Sequence, residues 1–374
     1  MKIVLVGNYL SDRQESMQRF TTLMQRGLEQ AGHEVKVVRP AEVVSRLSPG
    51  NRGAGKWLGY VDKFVMFPAQ LRAAVEWADV VHICDHSNAM YSSWVGRKPC
   101  VVTCHDMLAV RGALGEETDC PASLTGRYLQ RWIVRGLRRA SMVVSVSTAT
   151  AADVGKIVGG SAEKQRVVLN ALNYPYRRLS REEALGRLRE VDLLDEARPI
   201  VLHVGSNLAR KNRPGVIRAF AAASGAMDLQ LVFVGPHLSP ELQELIGAEG
   251  IAERVRTIVK PSAEVLEALY NRALALFFPS RFEGFGWPLI EAQACGCPVI
   301  CSRCAPFAEV VGSSAISRDV DDERGFAEEI VRLASHAGER EAWSAAGLRN
   351  AARFEPAQMI ARYVDLYREL AERP

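Results

Sequence analysis

The sequence predicts an α/β protein made of two doubly wound parallel-sheet domains, and three observations carry that expectation. Lys2 to Val6 is an apolar run stopped by Gly7. Met17, Phe20, Leu23, Met24, Leu28 and Ala31 follow at helical spacing up to Gly32, and His33 to Val38 is a second strand pattern. A strand–helix–strand start makes parallel strands, whose sheets bind ligands at their carboxyl ends. The same pattern restarts at Pro199 to Val204, and it recurs at Leu274 to Ser302 as strand, glycine loop, helix and strand. At 374 residues the chain suits two domains of ordinary size.

Composition narrows the class. Apolar residues make up 48% and charged residues 24%, as in globular proteins. No apolar run reaches the length of a membrane helix, and Met1 to Val6 reads as a strand rather than a leader. The eight cysteines lie mostly in apolar strands, which fits a reducing cytoplasm. The net charge of +4 hides an asymmetry: residues 1–180 hold 24 Lys and Arg against 15 Asp and Glu, while the rest hold 23 against 28. A first half at +9 and a second at −5 argue for domains with different partners.

In the first half, Gly7 and Asn8 end the first strand. Pro49 to Gly59 is glycine-rich and basic, and Tyr60 to Trp77 reads as a helix. Val80 to Ile83 is a strand ending in Cys84, Asp85 and His86, and Cys100 to Cys104 is another ending in His105 and Asp106. Polar residues directly after buried strands lie on the ligand-binding edge of such a sheet. His82, inside its strand, reads as structural. Leu124 to Ala140 is a basic helix, Met142 to Val146 a strand, and Ser147 to Thr150 cap the next helix. The sequence places the domain boundary near Pro175.

In the second half, Gly205 ends the strand Pro199 to Val204, and Arg210 and Lys211 follow in its loop. Two adjacent cations at the end of a parallel strand suit a diphosphate. Leu231 to Val234 and Val255 to Val259 are further strands, the latter ending at Lys260 and Pro261. The organising stretch is PSRFEGFGWPLIEAQACGCPVI, from Pro279. Pro288 is cheap at the start of a helix, so the spacing predicts a helix over 288–295 whose positive end faces Gly284, Phe285 and Gly286. Glu283 precedes that helix and Glu291 sits in its first turn. Carboxylates there accept from sugar hydroxyls, which points to a ligand carrying both hydroxyls and phosphates.

Glu283, seven residues, Glu291, with Gly-Phe-Gly and Pro inside, resembles the signature of the retaining GT-B glycosyltransferases of family 4. The resemblance spans the chain, tightly over 199–312 and loosely over 1–175. It implies domains over 1–175 and 176–355 facing a central cleft, with a closing helix, 356–374, crossing back to the first. It gives Glu283 the donor sugar, Glu291 the ribose, Arg210 and Lys211 the diphosphate, and Lys260 with Pro261 the base. Gly205, Gly284, Phe285 and Gly286 complete the donor-binding set. His105, followed by Asp106, takes a place near the reacting centre. Gly7, Asn8, Asp85, His86 and Asp106 become candidates for the acceptor side. This chain departs from the pattern in three places. The loop after Gly7 lacks further glycines, only Asn170 remains of Pro-Asn-Gly, and Ser206 stands where many members carry Arg.

The expectation is therefore an enzyme moving a sugar from a UDP- or GDP-sugar to a glycan, lipid-linked or small-molecule acceptor, with retention. It needs neither metal nor cofactor and has no nucleic-acid partner. A nucleotide-sugar epimerase and a non-catalytic sugar-nucleotide-binding subunit are the rival readings. Asp319 and Asp321 spell a D-x-D but precede a helix pattern, so capping accounts for them. Cys295, Cys297, Cys301 and Cys304 straddle a helix end and a strand and read as small core residues rather than a zinc site. The expected location is the cytoplasm, with peripheral contact at the inner membrane face as a variant. Arg52, Lys56, Lys63, Arg72, Arg127, Arg131, Arg135, Arg138 and Arg139, interleaved with aromatics, suit an anionic lipid surface; the alternative is aromatics in the core and solvated cations.

Overall fold

The structure is a computed structural model describing residues 1–47, 54–189, 191 and 198–372, without the side chains of 54–56. The chain forms two compact units, Met1–Asn173 with Pro356–Pro374, and Tyr174–Glu355. The division falls just before the sequence boundary at 175. Tyr174 packs on Tyr176 at 4.9 Å between ring centroids, and Tyr176 packs on Tyr270 at 5.8 Å, which draws both into the second unit.

In the first unit, six described strands form one sheet: β1 (Lys2–Val6), β2 (Glu34–Val38), β3 (Val80–Ile83), β4 (Cys100–Cys104), β5 (Met142–Ser145) and β6 (Gln165–Val167). Their order is β2-β1-β3-β4-β5-β6 and every pair is parallel. β3, β4 and β5 are buried at every position, as continuous Val-rich runs covered on both faces must be. The chain order reverses between β1 and β3, so the loops after these two strands diverge from one crevice.

The last helix, Pro356–Ala371, belongs to this first unit, as the resemblance implies. Its Tyr367 Oη lies 2.6 Å from His82 Nδ1, and its Tyr363 Oη lies 2.9 Å from Thr103 Oγ1. Thr103 also meets His82 Nε2 at 2.7 Å. His82 is thus partnered at both ring nitrogens, and burial lowers its pKa to about 3. It is a neutral strut, as its place inside a strand suggested.

The helix read over Tyr60–Trp77 is interrupted. Helices Ala54–Val61 and Phe67–Trp77 flank a wider π turn, Asp62–Met66. The buried Asp62 carboxylate accepts from the Val44 and Ser45 amides at 2.8 and 3.2 Å, from Ser45 Oγ at 2.6 Å and from Tyr9 Oη at 3.1 Å. A carboxylate held this firmly fixes the turn inward, which apolar spacing alone does not disclose. The basic–aromatic stretches divide: Phe67 and Ile133 enter the core, while Trp57 and Tyr128 are 64% and 69% exposed. Arg52 and the segment from Pro49 to Gly53 lie outside the described residues, as does the Lys56 side chain. No described helix is long and apolar enough to cross a membrane.

The second unit repeats the plan with β7 (Ile200–Val204), β8 (Gln230–Val234), β9 (Val255–Ile258), β10 (Ala273–Phe278), β11 (Val299–Ser302) and β12 (Ile316–Arg318). The order is β12-β11-β10-β7-β8-β9, again all parallel. β7 and β10 are neighbours whose connections run to opposite sides. Their carboxyl-end loops therefore meet at the switch point, where ligands bind in open α/β sheets.

Candidate functional site

The β7 loop makes a single 3-10 turn, Ala209–Lys211, and Asn212 then takes a left-handed conformation before the helix Arg213–Ser224. This turn delivers Arg210 and Lys211 to the β10 loop. Arg210 Nη1 lies 3.0 Å from Glu283 Oε2, and Lys211 Nζ lies 2.5 Å from Glu283 Oε1. The Arg281 amide donates to the Arg210 carbonyl at 2.7 Å, tying the two loops along their backbones. Glu283 is only 8% exposed. Burial pushes its carboxyl up, but Lys211 and Arg210 outweigh that and hold it below the usual carboxylate range. The site thus holds an ionised carboxylate between two cations, with one positive charge in excess among the three.

The glycine loop follows. Gly286 has φ +99°, and a Cβ there would come within 2.8 Å of the Phe307 ring. Only glycine fits this cap of the helix Trp287–Ala294. The helix starts one residue earlier than the sequence indicates. Pro288 is its second residue and Glu291 its fifth, one residue deeper than expected and at the start of the second turn. Glu291 is buried and accepts from Tyr270 Oη at 3.0 Å. Phe285 is buried and packs on Trp287 and Phe354, and Gly284 is half-buried. The Gly205 amide donates to Val234 O at 2.9 Å, so this glycine closes the β7–β8 ladder. Lys260 is exposed, with φ +48°, at the end of β9.

In the first unit the switch point gathers the other candidates. Gly7 donates its amide to Val38 O at 2.9 Å, leaving Asn8 pointing across to β3, where its Nδ2 reaches Asp85 Oδ2 at 2.6 Å. Asp85 also accepts from the Ser87 amide at 3.0 Å, and His86 Nδ1 stands 3.2 Å from Asp85 Oδ1. Burial opposes charge on both, but the pair wins: Asp85 is held well below the carboxylate range and His86 above the ordinary histidine value. His105 Nε2 lies 2.9 Å from Cys84 O, and burial lowers its pKa, which favours a neutral ring. Asp106 Oδ1 accepts from the Leu108 amide at 2.9 Å, so part of its capacity caps a helix. Gly7, Asn8, Asp85, His86 and His105 therefore share one sheet edge.

Of the two decoy motifs, the aspartate reading changes and the cysteines sit in the core as read. Asp322, not Asp319 or Asp321, caps the helix Glu323–Ser335 through the Gly325 amide, while Asp321 pairs with Arg281 at 2.5 Å. The two aspartates of the D-x-D lie three residues and one residue before the cap. Cys295, Cys297, Cys301 and Cys304 are all buried, with pKa values raised by burial, and among the described residues no three His, Cys, Asp or Glu side chains converge as a metal site. Sequence reasoning passed over Tyr270 and Arg213. Tyr270 sits in an unremarkable helix and carries no sequence signal; Arg213 was legible only as the third cation of Arg210-Lys211-Asn212-Arg213.

Known proteins match both halves of the chain. The model for Glycosyl transferases group 1 matches residues 186–349, and that for Glycosyltransferase Family 4 matches residues 17–174. O-antigen chain mannosyltransferase B of Escherichia coli is 25% identical over 65% of this chain and 65% of its own length. A D-inositol 3-phosphate glycosyltransferase of Salinispora tropica is 31% identical over 51% of this chain and 42% of its own. The chain thus spans less than two thirds of the length of these curated relatives. The crystal structure of Anabaena Alr3699/HepE in complex with UDP and glucose has a TM-score of 0.78 at 17% identity, covering 99% of this chain and 100% of that one. With the Glycosyltransferase Family 4 model matching the first half, the Glycosyl transferases group 1 model matching the second and the two-sheet architecture shared end to end, the chain belongs with these glycosyltransferases and has the GT-B fold.

Proposed function

We propose that this protein transfers a sugar from a UDP- or GDP-sugar to an acceptor with retention of anomeric configuration. The observation that carries the reading is the Glu283 carboxylate held between Arg210 and Lys211 where β7 and β10 diverge. Those cations suit a leaving diphosphate, whose charge grows in the transition state. Glu283 positions the sugar rather than attacking it, since both its oxygens are engaged by cations. Glu291, braced by Tyr270, holds the ribose, and Lys260 marks the place of the base. His105 and the Asn8–Asp85–His86 group serve the sugar and the acceptor. A hexose donor agrees with the mannosyl activity named for the Escherichia coli relative.

Arg210, Lys211 and the helix N-terminus after Gly286 supply the positive charge that a divalent ion gives elsewhere, so no metal takes part. The test is acceptor-dependent release of nucleoside diphosphate across a panel of UDP- and GDP-sugars in excess EDTA. The expected result is release with one donor class, unaffected by the chelator. Loss of activity in EDTA with recovery in manganese would overturn the metal-free reading. Sugar conversion without acceptor would favour the epimerase, and tight donor binding without turnover the non-catalytic subunit.

The proposed location is the cytoplasm, with peripheral contact at the inner membrane face as the variant to be tested. The support for that contact is the exposure of Leu124 and Tyr128 on the same helix as the exposed Arg127, Arg131 and Arg135. Purified protein is expected to co-sediment with anionic liposomes and to be released by salt or by Arg131→Glu with Arg135→Glu. If it ignores liposomes and glycosylates a soluble acceptor at full rate, the basic face is only a solvated surface.

A further inference from the structure

We propose that Arg213 is a positioning residue for the donor diphosphate, supplying a second positive charge from behind the loop and fixing the ends of β7 and β8 together. The inference rests on the donor reading above and extends it to a residue buried beneath the site.

Arg213 opens the helix Arg213–Ser224 and is 1% exposed. Its Nη2 donates to Gly205 O at 2.6 Å, and its Nη1 donates to Pro236 O at 3.3 Å and to Asn207 Oδ1. Asn207 Nδ2 in turn donates to His237 O at 2.8 Å. The guanidinium also lies over the Phe233 ring, 5.0 Å from its centroid. These contacts lash the loop after β7 to the loop after β8. Room for them comes from Gly235, where a Cβ would sit 2.0 Å from Gly205 O and 2.9 Å from Arg213 Nη2.

Every one of those partners is neutral. Among the described residues no carboxylate pairs with Arg213, and its Nε is buried without a partner. Removing an unpaired charge from water is costly, and an apolar residue of similar volume would serve packing better. Burial lowers its pKa only to about 10, so it stays charged at neutral pH. A second unfilled group lies beside it. His203 gives Nδ1 to Phe277 O at 3.0 Å, while its buried Nε2 has no partner and lies 3.0 Å from where a Gly205 Cβ would stand.

Charge balance explains the arrangement. A sugar diphosphate carries two negative charges, whereas Arg210, Lys211 and Glu283 together offer one positive. Arg213 brings the second, placed where solvent does not screen it. Being buried, it acts through field and loop geometry rather than by touching the phosphates.

The test compares UDP and GDP with UMP and GMP by isothermal titration in wild type, Arg213→Met, Arg213→Lys and Lys211→Ala. Arg213→Met is expected to weaken the diphosphate about tenfold and the monophosphate by less than about threefold, with a flatter salt dependence. Arg213→Lys, which keeps the charge and loses the fork, should fall between. Equal loss for both nucleotides, or an unchanged diphosphate affinity, would overturn the proposal. Should Arg213→Met fail to fold, the Arg213→Lys ratio of diphosphate to monophosphate affinity decides by the same criterion. If Lys211→Ala weakens the diphosphate and the Arg213 variants do not, this inference fails and the donor reading stands. If Lys211→Ala also changes nothing, the donor reading itself fails.

Discussion

Lys211→Ala and Arg210→Ala are each expected to lower kcat by about 10²-fold or more, because each removes a cation from the place where leaving-group charge grows. The two are not equivalent in the structure. Lys211 is a point charge at 2.5 Å from Glu283 and also lies over the Phe278 ring. Arg210 bridges Glu283 to the Phe282 carbonyl, at 3.0 and 3.3 Å. Losing either leaves Glu283 with one partner in a buried setting, so the carboxyl pKa rises toward its ordinary value. The contribution of the Glu283 carboxylate should thus be lost at a higher pH in the variants than in the wild type as the pH falls. Steady-state kinetics over pH 5–9 measure both effects. Wild-type-like kcat in both variants would remove these residues from the reaction.

Glu283→Gln should abolish most turnover, by roughly 10²-fold, while changing nucleoside diphosphate affinity little. The amide keeps the shape but pushes an NH₂ against Arg210 or Lys211, and the sugar loses its anionic acceptor. Glu291→Gln should do the reverse. It weakens nucleotide binding by roughly tenfold, because a neutral amide is a poorer acceptor for ribose hydroxyls than a carboxylate. Titration of the nucleotide beside single-turnover rates separates the two. The opposite pattern would mean that the roles of the two glutamates are exchanged.

Much of this was written in short stretches of sequence. The run from Phe277 to Ser302 carried strand, glycine loop, helix and both glutamates within one local unit, so composition and spacing sufficed. Arg210 and Lys211 were equally plain at a strand end. What sequence could not reveal were contacts between distant segments. Tyr270 reaches Glu291 across 21 positions, and Asp62 gathers amides some 18 positions away, opening a π turn in what spacing reads as one helix. Arg213 was visible as a cation, but its burial among carbonyls depends on β8 lying beside β7. The helix cap fell to Asp322 because capping is decided by backbone geometry at one residue, not by an acidic cluster.

The most direct test of same-face transfer is the anomeric configuration of the product, read by proton NMR with the donor and acceptor found in the nucleotide-sugar panel. The account predicts a product with the donor's own anomeric configuration, formed in EDTA and lost in Lys211→Ala. A product of inverted configuration would contradict it.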